Sequence, residues 1–132
     1  MNEKYVIITG AGGFVGSYFA NKLLEREYGL ILIDKNKKSL DFLKKQLNYN
    51  LYPKQFYFIE DISKERNVKR IFETLKKKRI NIEGLVNIAA IDAKQKKKNS
   101  KYLTDKQLAF ELESGLISTY LMIKYFGEDM FK

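Results

Sequence analysis

The chain has 132 residues, 45% of them hydrophobic and 31% charged, with no Cys, His or Trp and a single Pro. That size and apolar content suit one compact domain and exclude whole-chain disorder, a disulfide framework, a zinc site of the usual nitrogen and sulfur type, and any His-activated nucleophile. The 25 basic residues outnumber the 16 acidic ones to give a net charge of +9, but Arg stands only at 26, 66, 70 and 79, and Lys is a mobile point charge rather than the fork that reads bases and phosphates.

The elements alternate along the chain. Lys4–Thr9 reads as a buried strand and Phe14–Tyr28 as a helix with Val15, Phe19, Leu23 and Leu24 on one face, ended by Gly29. Leu30–Asp34 is a second apolar strand, followed by a helix over Lys38–Leu47 with Leu40, Leu43 and Leu47 inward. Pro53 marks a loop, Gln55–Ile59 a third strand, and Lys64–Lys78 a helix carrying Val68, Ile71, Phe72 and Leu75 at helical spacing. Gly84–Ala89 is a fourth strand; a basic loop, Lys94–Lys101, then leads into one long helix over Asp105–Phe126. Near-continuous apolar strands joined by helices predict an α/β fold: a parallel sheet covered on both faces, with right-handed crossovers. No apolar run reaches the ~20 residues of a membrane span, and Met1–Lys4 carry no signal-peptide pattern. A cytoplasmic protein is expected, with no membrane partner.

The turn after the first strand reads Thr9-Gly10-Ala11-Gly12-Gly13-Phe14-Val15-Gly16. Its spacing gives each glycine a task. Gly10 permits the tight turn, Gly13 lets the backbone approach a diphosphate, and Gly16 lets the helix pack close to the sheet. The helix N-terminus, with Phe14 and Val15 in its first turn, offers free amides and a positive dipole end to phosphate. A glycine-rich connecting turn with no ligand is the alternative. Asp34, at the end of the second strand, suits a ribose-binding acid that accepts from the 2′- and 3′-hydroxyls and repels a 2′-phosphate, favouring NAD over NADP. Lys35, Lys37 and Lys38 stand beside it, and one of them could screen that charge and admit a phosphate. Asp34 equally suits a turn or cap.

Two further strand ends face the same crevice, where the strand order reverses between the first and fourth strands. Asp61 can meet the adenine amino group and Ile62 the ring face, although Asp61 or Ser63 can also cap the next helix. Asn87, Ile88, Ala89 and Ala90 end the fourth strand, where small residues let the backbone lie against the nicotinamide ribose, or simply pack.

Together these motifs resemble the short-chain dehydrogenase/reductase family in order and spacing, with Ile88 where the family has a second Asn and Ala90 where it usually has Gly. The resemblance implies a Rossmann-type three-layer sandwich with strand order 3-2-1-4 over 1–132. It implies an NAD-dependent oxidoreductase acting on a hydroxyl or ketone of a small molecule, and association into a homo-oligomer. A narrower resemblance links Asn87–Lys94, Ser114-Gly115-Leu116 and Lys124–Met130 to a branch associated with flagellin modification and surface-sugar biosynthesis. Gly115 falls where most members carry the Asn of the catalytic tetrad. Members continue into a fifth strand with a catalytic Ser and then a Tyr-x-x-x-Lys helix, so this chain is expected to be a truncated, cofactor-binding half with no catalytic residue of its own. Tyr120 and Lys124 have the catalytic spacing but fall in the fourth helix, where Tyr120 is expected to pack and Lys124 to face solvent. The competing readings are a non-catalytic dinucleotide-binding or scaffold module, and nucleic-acid binding through Lys76–Arg79 and Lys96–Lys98. The first Lys cluster suits a helix C-terminus, and neither is interleaved with stacking aromatics; no nucleic-acid partner is expected.

Overall fold

The computed structural model describes residues 3–47, 55–89 and 103–131. Four strands, β1 (Lys4–Thr9), β2 (Gly29–Asp34), β3 (Phe56–Ile59) and β4 (Asn81–Asn87), alternate with helices α1 (Phe14–Leu24), α2 (Lys37–Gln46) and α3 (Glu65–Lys77). Helix α4 (Asp105–Glu111) then runs through a π-helical segment, Leu112–Ile117, into α5 (Ser118–Met130). All pairings are parallel, in the order β3-β2-β1-β4. The two central strands carry the apolar runs and are buried on both faces, while β3 and β4 are half-exposed edges.

Side chains alternate across a strand, so successive residues feed two cores. Val6, Ile8, Leu30 and Leu32 pack against Ala20 and Leu24 of α1 and against Leu40, Leu43 and Leu47. Ile7, Ile31 and Ile33 face the other way, against Val68, Ile71 and Leu75 of α3 and Leu121, Met122 and Phe126 of α5. Helices therefore cover both faces, as the apolar runs predict. Helix α2 starts where the Asn36 side chain accepts from the Ser39 amide at 3.1 Å, and α3 ends in Lys76 and Lys77, cations favoured by the helix dipole.

Two helices differ from expectation. Helix α1 stops at Leu24, and its buried face is Gly16, Ala20 and Leu24. Val15 and Phe19 are half-exposed. Small side chains let this helix approach the sheet closely, and that closeness outweighs the larger apolar face. Glu27 follows in a left-handed conformation, and Gly29 opens β2 rather than closing the helix. A Cβ on Gly29 would stand 2.4 Å from the nearest atom of the Tyr5 ring. The long C-terminal helix is interrupted by the π segment. Along it Leu121 is buried, whereas Leu112, Leu116 and Tyr120 are exposed.

Candidate functional site

The glycine turn is held from three sides. Gly10 is left-handed, with φ +63°, and a Cβ there would stand 2.9 Å from the Ala89 backbone. A Cβ on Gly16 would fall on the Gly10 carbonyl oxygen and 2.8 Å from Ala11 Cα. Gly12, to which the sequence reading gave no role, touches the start of α2: a Cβ there would lie 2.7 Å from Ser39 Cβ. Gly13 differs from these. Among the described residues, and apart from its chain neighbours, a Cβ built on it meets the Gly10 carbonyl oxygen alone, at 3.3 Å. Its side above the turn is open.

The first-turn amides of a helix have no intrahelical partner. Helix α1 follows its N-cap Gly13 with no side-chain cap and no acid in its first turn, whereas α2 is capped by Asn36, α4 by a reciprocal box of Thr104 and Gln107, and the uncapped α3 carries Glu65 in its first turn. Its positive end is left to face an anion.

A cavity of about 360 Å³ opens beside this turn, within the size range of small-molecule sites. Gly10, Gly13, Phe14, Val15, Asp34, Lys35, Asp61, Ile62, Ile88 and Ala89 line it. Gly16 lies under the turn and Asn87 is exposed at the end of β4; neither reaches the cavity wall. The chain turns inward only after Asn87. There the buried Thr9 hydroxyl accepts from the amides of both Ile88 and Ala89, each at 3.1 Å. Thr9 is a positioning residue that sequence reasoning treated only as part of the motif.

Asp34 is fixed by the backbone. One carboxylate oxygen accepts from the Gly12 amide at 2.9 Å and the other from the Asn36 amide at 2.9 Å. A carboxylate has about four acceptor sites, so these two bonds orient the group and leave room for hydroxyl donors. The turn role and a ribose role are compatible. Asp61 accepts from the Ser63 hydroxyl at 2.7 Å and its amide at 3.0 Å. Burial pushes the Asp61 carboxyl up, but the two Ser63 bonds and the charges of Lys35 and Lys64 together hold it below its ordinary value. The carboxylate therefore stays charged as an acceptor.

The far wall was not legible in advance. Ser114 and Ser118, on either side of Gly115, line the cavity together with Ile33, Glu60 and Ser63. Ser118 is buried and donates to the carbonyl oxygens of Ser114 and, at 3.2 Å, Gly115. These carbonyls belong to the wider π turn, and such turns recur at functional sites. The serines sit one helical turn apart, but nothing in their types or spacing says which wall they form.

The Tyr120–Lys124 pair does not line the cavity. Tyr120 is exposed rather than packed, and the Lys124 ammonium pairs with Glu65 at 2.7 Å, a carboxylate that also accepts from the Tyr125 hydroxyl at 2.9 Å. Among the described residues no cluster of acids could hold a metal, and no helix is long and apolar enough to cross a membrane. Lys96–Lys98 and Ala90 lie outside the described residues.

Comparison with known proteins adds the family. A stretch of 93 residues, 70% of this chain, is 24% identical to part of the bifunctional protein gal10 of Schizosaccharomyces pombe, of which it covers 12%. Among solved structures, 3-ketoacyl-(acyl-carrier-protein) reductase from Brucella melitensis, complexed with NADH, is similar to 96% of this chain at 23% identity and a TM-score of 0.76. L-Sorbose reductase from Gluconobacter frateurii, complexed with NADPH and L-sorbose, is similar to 98% of it at 15% identity and a TM-score of 0.82. The chain spans 51% and 48% of those two proteins. The sequence also matches the short chain dehydrogenase family over residues 4–132, from the first residue of β1 onwards. By that match, on a sheet of order 3-2-1-4 with a glycine turn at its switch point, the chain belongs to the short chain dehydrogenase family.

Proposed function

We propose that this chain is the dinucleotide-binding part of an NAD-dependent oxidoreductase whose substrate is the hydroxyl or ketone of a small molecule. The sugar or sugar-nucleotide class rests on the resemblance carried by Asn87–Lys94. The observation that carries the reading is the uncapped α1 N-terminus at Gly13, open above the turn, beside an Asp34 carboxylate fixed by two amides. In this reading Gly10, Gly13, Phe14 and Val15 bind the diphosphate, with Gly16 supporting them from below. Asp34 accepts from the ribose hydroxyls, Asp61 and Ile62 hold the adenine, and Ile88 and Ala89 bear on the nicotinamide side with Asn87 at the rim. A bound nicotinamide dinucleotide supplies the hydride chemistry; the chain's own residues orient it and exclude water. Asp34 favours NAD because a 2′-phosphate would meet a carboxylate that cannot swing aside.

The test is calorimetric titration of the folded protein with NADH and with NADPH. NADH is expected to bind more tightly, and Gly13→Leu, which fills the space above the turn, is expected to abolish binding in a protein that still unfolds cooperatively, with a modest fall in melting temperature from its 3.3 Å approach to the Gly10 carbonyl oxygen. A folded protein that binds neither dinucleotide would refute the proposal. The reading includes self-association through the exposed Leu108, Leu112, Leu116 and Tyr120, and light scattering across a concentration series checks it. A catalytically silent dinucleotide-binding module is the second reading, which the same cavity lining serves equally well. Turnover of a hydroxyl or ketone substrate would exclude it.

A further inference from the structure

One cation at the ribose end has no role in the binding scheme above. Lys35 follows Asp34 directly and lines the cavity. An ammonium on a flexible stem at this place would neutralise a 2′-phosphate and cancel the discrimination that Asp34 imposes. The structure places that ammonium elsewhere. Lys35 Nζ stands over the ring of Phe110 in α4, 5.2 Å from its centroid, within the range where the negative face of an aromatic ring attracts a cation. The Lys35 charge also acts on Asp61, after β3. Both attractions come from partners other than Asp34. Phe110 itself does not line the cavity and is half-exposed, so changing it leaves the walls intact.

We propose that Phe110 is a specificity-determining positioning residue: its ring keeps the Lys35 ammonium off the ribose, so the chain discriminates against a dinucleotide carrying a 2′-phosphate. The inference rests on the dinucleotide reading of the cavity. An exposed cation–π contact of this kind sets the scale of the effect at about 2- to 5-fold in relative affinity.

The experiment measures dissociation constants for NADH and NADPH with the native protein, Phe110→Leu, Phe110→Tyr, Lys35→Met and the Lys35→Met/Phe110→Leu double variant. Phe110→Leu keeps apolar bulk and loses the ring face. It is expected to shift the NADPH-to-NADH ratio about 2- to 5-fold towards NADPH, with NADH affinity unchanged. Phe110→Tyr should keep the native ratio. In the Lys35→Met background Phe110→Leu should change nothing, because the two residues act through one contact. An unaltered ratio in Phe110→Leu, or the same shift without Lys35, overturns the inference while native binding of NADH leaves the dinucleotide reading standing. Failure of the folded native protein to bind either dinucleotide overturns both.

Discussion

The two walls of the cavity are built on opposite principles. The turn over 9–16 is crowded: at Gly10, Gly12 and Gly16 an added Cβ would press on backbone or on a neighbouring helix, and Asp34 is tied to Gly12 and Asn36 through their amides. The facing segment, Leu112–Ile117, has no buried residue, and a Cβ on Gly115 would meet nothing within 4 Å. One wall is fixed by packing on every side but the one at Gly13, whereas the other is held by its own helical hydrogen bonds and by the buried Ser118 that follows it. A fixed cradle suits the invariant part of a ligand. A loosely packed wall can be changed at little cost.

That contrast can be broken by substitution. The largest effect is expected from Gly16→Val, whose side chain would collide with the Gly10 carbonyl. Overpacking against backbone should cost about 3 kcal/mol, read as a fall in the urea midpoint. Thr9→Val preserves shape but removes the acceptor of two amides, and a loss of about 1–3 kcal/mol is expected in the same measurement. Gly115→Ala, on the opposite wall, should instead gain about 0.5–1 kcal/mol, because the space is open and alanine has less backbone freedom to lose. A large loss there would show that the π segment is as tightly constrained as the turn.

The smallest effect concerns Asp61, which is exposed enough for solvent to screen it. Its folded carboxyl lies below its ordinary value of 3.8. Its contribution is therefore complete above that value and is lost as the pH falls through the lower folded one. Asp61→Asn should destabilise the protein at pH 6, and the difference should shrink in unfolding curves taken at progressively more acid pH. A difference that grows on acidification would reverse the assigned sign.

The sheet and its order were legible because the central strands are apolar without interruption and the elements alternate strictly. Leu40, Leu43 and Leu47 were legible as core because leucines at helical spacing leave one choice of inward face. Helix α1 was misread for a physical reason. Its hydrophobic pattern points to Val15 and Phe19, but proximity to the sheet selects Gly16 and Ala20, and a pattern scored by hydrophobicity alone passes over small residues. The glycine turn and Asp34 could be placed from local spacing. Ser114 and Ser118 could not, since their position depends on a π turn for which the sequence carries no local signal, and on how a helix distant in sequence crosses the strand ends. Asn87 shows the limit at single-residue scale: the strand end was located, but which of its side chains turn inward depends on the Thr9 hydroxyl.

That hydroxyl has a mechanical consequence. By gripping consecutive amides just past β4, it fastens the outgoing chain to the end of β1, and Ala89 is thereby pressed against Gly10. Tension applied downstream of residue 89 would reach this side chain and the bend that opens α1 before it reaches the paired strands β1 and β4. The exit of the fourth strand and the entrance of the first helix thus meet in one joint.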